Sequence, residues 1–154
     1  MDKFNLFLTP KTYQMVRIDW AIIMFTLLGL VIYNWQEVNW WRFAGAFLLS
    51  DLIGTFPGMY MYYAKKKGEH RSIPSIFHDL YNIGHSFVGI GSVAVIWYLV
   101  TGSWEWAMLA MPIHLAGDRC VFGNIYKPHG TAFEPVLHDA FKRFQAEYEA
   151  AGKW

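Results

Sequence analysis

A chain of 154 residues that is 55% hydrophobic and only 16% charged lies well below the ~25% charge of an ordinary soluble domain, with length for one compact unit. Its formal net charge of +1 supplies neither the basic patch nor the high pI that nucleic-acid binding calls for. The lone cysteine, Cys120, excludes an intrachain disulfide and any CxxC redox or structural zinc site.

In chain order, Thr9-Pro10 reads as an N-cap followed by proline at the first helical position. The run Trp20 to Trp35 carries no charge and continues a helix long enough to span a bilayer, which takes ~20 residues. It begins too late, and lacks the small-residue cleavage site, for a signal peptide. A polar link, Gln36 to Asn39, leads into a second apolar run that contains Asp51 and Pro57. There Ser50, Gly54 and Gly58 recur every four residues, a small stripe that lets another helix approach closely. A third run follows the hydrophilic AKKKGEHR segment, and a fourth, containing Pro112, follows the turn Thr101-Gly102-Ser103. The expectation is an all-α polytopic membrane protein of one domain, residues 1–154, with spans near 18–35, 41–63, 76–100 and 104–126.

Beyond the fourth run, Phe133, Val136, Leu137, Ala140, Phe141, Phe144 and Tyr148 recur at helical spacing with charges on the other faces. Residues 132–151 therefore read as an amphipathic helix lying on the membrane surface or against the bundle. Lys3, Lys11 and Arg17 precede the first span, Lys65 to Lys67 and Arg71 separate the second and third, and Lys127, Lys142, Arg143 and Lys153 follow the fourth. By the positive-inside rule both termini and the middle loop are cytoplasmic. Trp35, Trp40, Trp41, Trp104 and Trp106 would line the opposite interface, a level that amphipathic aromatic rings favour.

Asp51, His85, His114 and Asp118 stand inside these runs, where a charge at the bilayer centre costs at least ~2.5–3.5 kcal/mol and marks a functional site by default. With a rise of about 1.5 Å per residue, Asp51 lies ~18 Å in from Tyr63, His85 ~14 Å from Ile76, and His114 and Asp118 ~18 and ~12 Å from Tyr126. Three helices thus bring these residues to one layer in the cytoplasmic half. His114 and Asp118, four apart, share a helix face. His78, Asn82 and His85 form a polar stripe descending to the layer, with Asp79 and Tyr81 beside it and Arg119 just past Asp118.

Imidazole nitrogens and carboxylate oxygens suit a divalent zinc, iron or manganese ion, and an incomplete ligand set leaves a position for water or substrate. His85, His114, Asp118, Asp51 and His78 are the candidate ligands, Asp51 doubling as general base. Tyr81, Asn82 and Arg119 are candidates for orienting substrate or ligands. The structural alternative pairs Asp118 with Arg119, or Asp51 with His85, as helix-to-helix contacts without chemistry. His70, His129 and His138 read as solvated, although His138 could cap the site from the tail.

The LSDLIG context of Asp51, YNIGHS at 81–86, HLAGDR at 114–119 and the following FGNIYKPHGTAFEP resemble a family of small bacterial integral membrane proteins of unknown function. The resemblance covers roughly residues 40–138 and implies an inner-membrane location without naming a reaction. Gly84-His85-Ser86 with His114 to Asp118 is similar, more loosely, to the membrane-bound metal-dependent hydrolases. Asn82 stands where that group carries an earlier His or Arg. The expected function is a membrane-embedded metal-dependent hydrolase acting on a lipid-like or hydrophobic small-molecule substrate. Two rivals stay open: a b-type haem held by His85 and His114 in a quinone-linked oxidoreductase subunit, and a non-catalytic accessory subunit of a larger membrane complex or homo-oligomer.

Overall fold

The computed structural model describes residues 10–64, 73–124, 126–134 and 139–151. All regular structure among them is helical. Helix α1 spans Pro10–Tyr33, α2 Trp40–Ser50, α3 Phe56–Ala64, α4 Ile76–Gly84, α5 Phe87–Thr101, α6 Ala110–Gly117 and α7 Asp139–Ala151. Thr9, the lysine run 65–67, Arg71, His70 and His138 lie outside the described residues.

Among the described residues, one helix, over Lys11–Tyr33, is long and apolar enough to cross a membrane. The second run forms an unbroken helical path from Trp40 to Ala64, but Asp51–Thr55 is a π-turn set between α2 and α3. Its local cause is Pro57, which has no N–H to donate to Ile53 and would crowd that carbonyl in a regular helix. The wider turn instead closes with Phe56 N–H donating to Asp51 O.

The third run, expected as one helix over 76–100, is broken at His85-Ser86, and α4 and α5 meet at 66°. Ser86 is extended (φ −123°, ψ 154°); its Oγ accepts from Gly89 N–H at 3.0 Å and donates to Ile83 O at 2.9 Å. A side chain at Gly89 would collide with the Ile83 carbonyl, so glycine there permits the bend. A serine N-cap inside an apolar run thus starts a new helix and overrides the hydropathy pattern.

The fourth run opens with a 3₁₀ turn at Trp106–Leu109, continues as α6 and ends in a second π-turn, Asp118–Phe122. Gly123, left-handed at φ 73°, closes it by donating its N–H to Asp118 O at 2.9 Å. Helix α6 is the axis of the molecule, with Ala110, Met111, Ile113, His114, Leu115 and Ala116 all buried. Helices α1, α2 and α5 pack around it, while α4 lies against the first π-turn.

The small stripe has two partners. A Cβ at Gly54 would stand 2.5 Å from Tyr81 Cα, and Gly84 lies against the Ser50 carbonyl, so α4 packs backbone to backbone with the first π-turn. Gly58 faces the ring of Phe133, which is fully buried. The tail differs from the helix expected over 132–151: residues 126–134 are a non-helical strap, and the helix runs from Asp139 to Ala151 with no buried residue.

Candidate metal centre

Four helical segments deliver the site. Asp51 opens the first π-turn, His85 caps α4 at its break, His114 sits in the last turn of α6, and Asp118 opens the second π-turn. Asp51 Oδ1 lies 3.5 Å from His85 Nε2 and 3.7 Å from His114 Nε2. Asp118 Oδ2 lies 3.3 Å and 3.5 Å from the same two nitrogens. In a tetrahedral site with bonds of about 2.0–2.2 Å, neighbouring donors stand roughly 3.3–3.6 Å apart. The donor atoms of Asp51, His85 and His114 all fall within 4.8 Å of one another and can hold a metal ion.

Both imidazoles are buried, yet neither Nε2 has a hydrogen-bond partner. The two carboxylates face these nitrogens at ion-pair distance, 3.3–3.7 Å, too long for a strong hydrogen bond. An orphaned buried polar atom carries a desolvation cost of ~1–3 kcal/mol. Two of them facing one point are explained by a common ligand. His85 is oriented for it, because its Nδ1 lies 3.0 Å from Tyr81 O. Donation to that carbonyl puts the free lone pair on Nε2, the usual way an outer partner fixes a ligating histidine. The Tyr81 ring stacks on His85 with centroids 4.1 Å apart and planes 11° from parallel, and Phe47 meets the edge of His114 at 4.7 Å. The carboxylate side chains keep 24% and 20% exposure, so the centre is approached from their side.

A bis-histidine haem needs a flat slot between the two rings. Here Asp51 and Asp118 each place an oxygen within 3.7 Å of both nitrogens and fill that space. The arrangement suits a single ion.

The structure places the remaining candidates elsewhere. His78 is buried, with Nε2 at 3.2 Å from Thr131 O and its ring against Phe133, so it belongs to the strap rather than the centre. Asn82 has both amide ends engaged: Oδ1 accepts from Lys127 N–H at 2.7 Å and Nδ2 donates to Lys127 O at 3.0 Å. It clamps the strap as a strand neighbour would. The strap therefore lies against the His78–Asn82 part of the polar stripe. Arg119 makes no ion pair with Asp118 and instead donates to His85 O at 3.4 Å. Asp79, a candidate surface ion-pair partner, pairs with His129 at 2.7 Å.

Sequence reasoning missed the strap's anchor and the support beneath the second π-turn. Lys127 Nζ donates to Phe133 O at 2.6 Å and to Glu134 at 3.0 Å, and lies 4.7 Å over the Tyr81 ring. Arg17 donates to Cys120 O at 2.6 Å and Val121 O at 2.8 Å, satisfying carbonyls that the π-turn leaves over. The Gly- and Pro-rich run from Gly123 to Pro135 was the available signal for a non-helical strap.

An apolar cavity of about 260 Å³ lies among α2, α5 and α6, lined by residues including Ala46, Leu49, Val93, Trp97, Met108 and Met111. Leu49 is two residues from Asp51, and Met111 is one turn from His114. Comparison with models of protein families, with curated proteins and with solved structures finds no match.

Proposed function

We propose that the chain is a membrane-embedded, metal-dependent hydrolase acting on a lipid-like or amphipathic substrate. The observation that carries this is the pair of buried Nε2 atoms of His85 and His114, each facing the carboxylates of Asp51 and Asp118 at 3.3–3.7 Å, close to the donor spacing of a four-coordinate ion. His85, His114 and Asp118 are ligands, and Asp51, the more exposed carboxylate, is the fourth ligand or takes a proton from the attacking water. A divalent ion bound there supplies a Lewis acid and brings the pKa of a water close to neutrality. Tyr81 fixes the His85 ring by stacking and by its carbonyl, which keeps the donor atom aimed as the proton moves.

The membrane setting rests on a four-span reading of the chain. It is supported by the apolar helix over Lys11–Tyr33, by the bent α4–α5 pair, and by a surface rich in large apolar side chains. Ile22, Phe25, Ile32, Leu52, Val88 and Leu99 are all more than half exposed, far more apolar surface than a soluble monomer tolerates. Trp41 at 90% and Trp104 at 63% exposure cluster at one end near the Arg42–Glu105 pair, as an interfacial belt would. On this reading both termini face the cytoplasm, the centre lies in that half of the bundle, and the apolar cavity takes substrate hydrocarbon.

The test is elemental analysis of protein purified in detergent, beside His85→Ala and His114→Ala. About one equivalent of zinc, iron or manganese in the unaltered protein, lost from both variants, is expected. A metal-free protein whose thermal stability is unchanged by added zinc and by both substitutions would falsify the reading.

A further inference from the structure

Among the described residues, Arg119 is a buried charge without a carboxylate partner. Only 6% of it is exposed, and among the described residues no carboxylate lies within ion-pair distance of its guanidinium. Its Nε is buried without a partner. Its one hydrogen bond, from Nη2 to His85 O, is long at 3.4 Å. The other two described arginines with partners are held far more tightly: Arg42 by Glu105 at 2.5 Å, and Arg17 by two carbonyls at 2.6 and 2.8 Å. Arg119 is instead framed by rings, its Cζ standing 4.2 Å over Trp20, 5.6 Å from Phe87 and 5.7 Å from Tyr126. Stacking on the rings fixes the guanidinium plane and leaves its Nε–H without a partner.

The position matters because Arg119 follows Asp118 directly and touches the His85 carbonyl. The charge sum, which rests on the metal reading above, is simple. Asp51 and Asp118 contribute two negative charges, a divalent ion cancels them, and Arg119 leaves one positive charge buried beside the centre. An uncompensated buried cation is costly, and a ligand anion removes that cost.

We propose that Arg119 binds a monoanionic oxyanion of the substrate, a phosphodiester or carboxylate on an alkyl chain, and holds it beside the metal centre. The guanidinium fork matches such a group with two parallel N–H donors. The ring frame excludes water around it, and the exposed sides of Asp51 and Asp118 give the approach. Removal of the metal reverses the local charge sum to one negative, so the anion site depends on the loaded centre.

The experiment measures binding of methyl octyl phosphate (a phosphodiester), octanoate, octanol and inorganic phosphate to zinc-loaded protein in detergent, by calorimetry and by shift in melting temperature. The unaltered protein binds methyl octyl phosphate or octanoate at least about tenfold more tightly than octanol; whichever anion is preferred identifies the headgroup, and inorganic phosphate tests whether the chain is needed. Chelation of zinc weakens that binding. Arg119→Gln abolishes the preference over octanol while zinc stoichiometry stays at the unaltered value, and Arg119→Lys, which keeps charge without the fork, falls between. Equal binding of octanol and both anions to the unaltered protein overturns the proposal without recourse to a variant. Full zinc occupancy with unchanged anion preference in Arg119→Gln also overturns it and leaves the metal reading standing. A protein that takes up no zinc overturns both.

Discussion

Gly54→Ala tests whether the close approach of α4 to the first π-turn sets the geometry of the centre. The added Cβ would stand 2.5 Å from Tyr81 Cα, 2.9 Å from Tyr81 N and 3.0 Å from Leu80 O, all backbone atoms that no rotamer change can move. Carbon contacts are comfortable at ~3.5–4.0 Å, so α4 must retreat by about 1 Å. Tyr81 carries His85 on its carbonyl at 3.0 Å, and the retreat passes to the imidazole. The 3.5 Å separation of His85 Nε2 from Asp51 Oδ1 then opens beyond the roughly 3.3–3.6 Å edge of a tetrahedral site. Metal affinity is expected to fall about 10–100-fold, as for other changes behind the ligands. Overpacking should also cost about 1–3 kcal/mol of stability. The control is Gly45→Ala on α2, where nothing lies within 4 Å of the new Cβ and helix propensity alone gives a gain of up to ~1 kcal/mol. The assay is competition for zinc against a chromophoric chelator, with thermal melts of both variants in the same detergent. Zinc affinity in Gly54→Ala within about a factor of two of the unaltered protein, together with a melt as high as that of Gly45→Ala, would refute the reasoning.

Acid should strip the metal, because both imidazoles must be unprotonated to ligate it; dialysis at stepped pH followed by elemental analysis reads the release, and full retention at about pH 4 contradicts histidine ligation. Phe133→Ala empties the space against Gly58, Tyr81 and His78 and should cost about 3–5 kcal/mol. Limited proteolysis should then cut within 126–134 faster than in the unaltered protein, and an unchanged cleavage rate argues against the strap's anchoring role. Arg17→Gln deletes two charge-assisted bonds to the second π-turn and should lower stability by about 1–3 kcal/mol in a detergent melt; an unaltered melt means that water satisfies those carbonyls equally well. Met111→Trp fills the apolar cavity of about 260 Å³. It should weaken octyl ligands more than butyl ligands of the same headgroup, and equal weakening of both removes the cavity from the substrate path.

The sequence made the all-α class legible because apolar runs and turn signals are local properties. The convergence of Asp51, His85, His114 and Asp118 was legible for a different reason: an ionisable group inside an apolar run must find partners, and equal depth on neighbouring helices supplies them. The expected continuity of the third run failed at Ser86, whose capping bond to Gly89 is worth more locally than an unbroken hydropathy profile suggests. His78 went astray because periodicity on α4 is blind to the strap that returns from 126–134 to cover that face. The partner of Asn82 was hidden for the same reason, since its amide meets Lys127, a residue 45 positions away. Nothing in the residues near Arg119 announces Trp20 as its platform, a contact set by how α1 packs on the second π-turn.

Backbone irregularity is concentrated where the donors stand. Asp51 and Asp118 each open a π-turn, His85 lies at the break between α4 and α5, and only His114 belongs to a regular helix. A polar contact that merely pins two helices needs none of this, since polar side chains on two straight, packed helices already meet across their interface. Irregular backbone in apolar surroundings is costly because carbonyls lose their partners, and here Arg17 and Arg119 are spent on carbonyls at two of the three distortions. A π-turn also adds about one residue to the local turn and rotates everything beyond it relative to what precedes. That rotation lets the second helical path present Phe47 to His114, Asp51 to the centre and Gly54 to α4 at once. Three distortions converging on one point, each carrying a donor, favour a site shaped to hold something over a set of polar groups shaped only to hold one another.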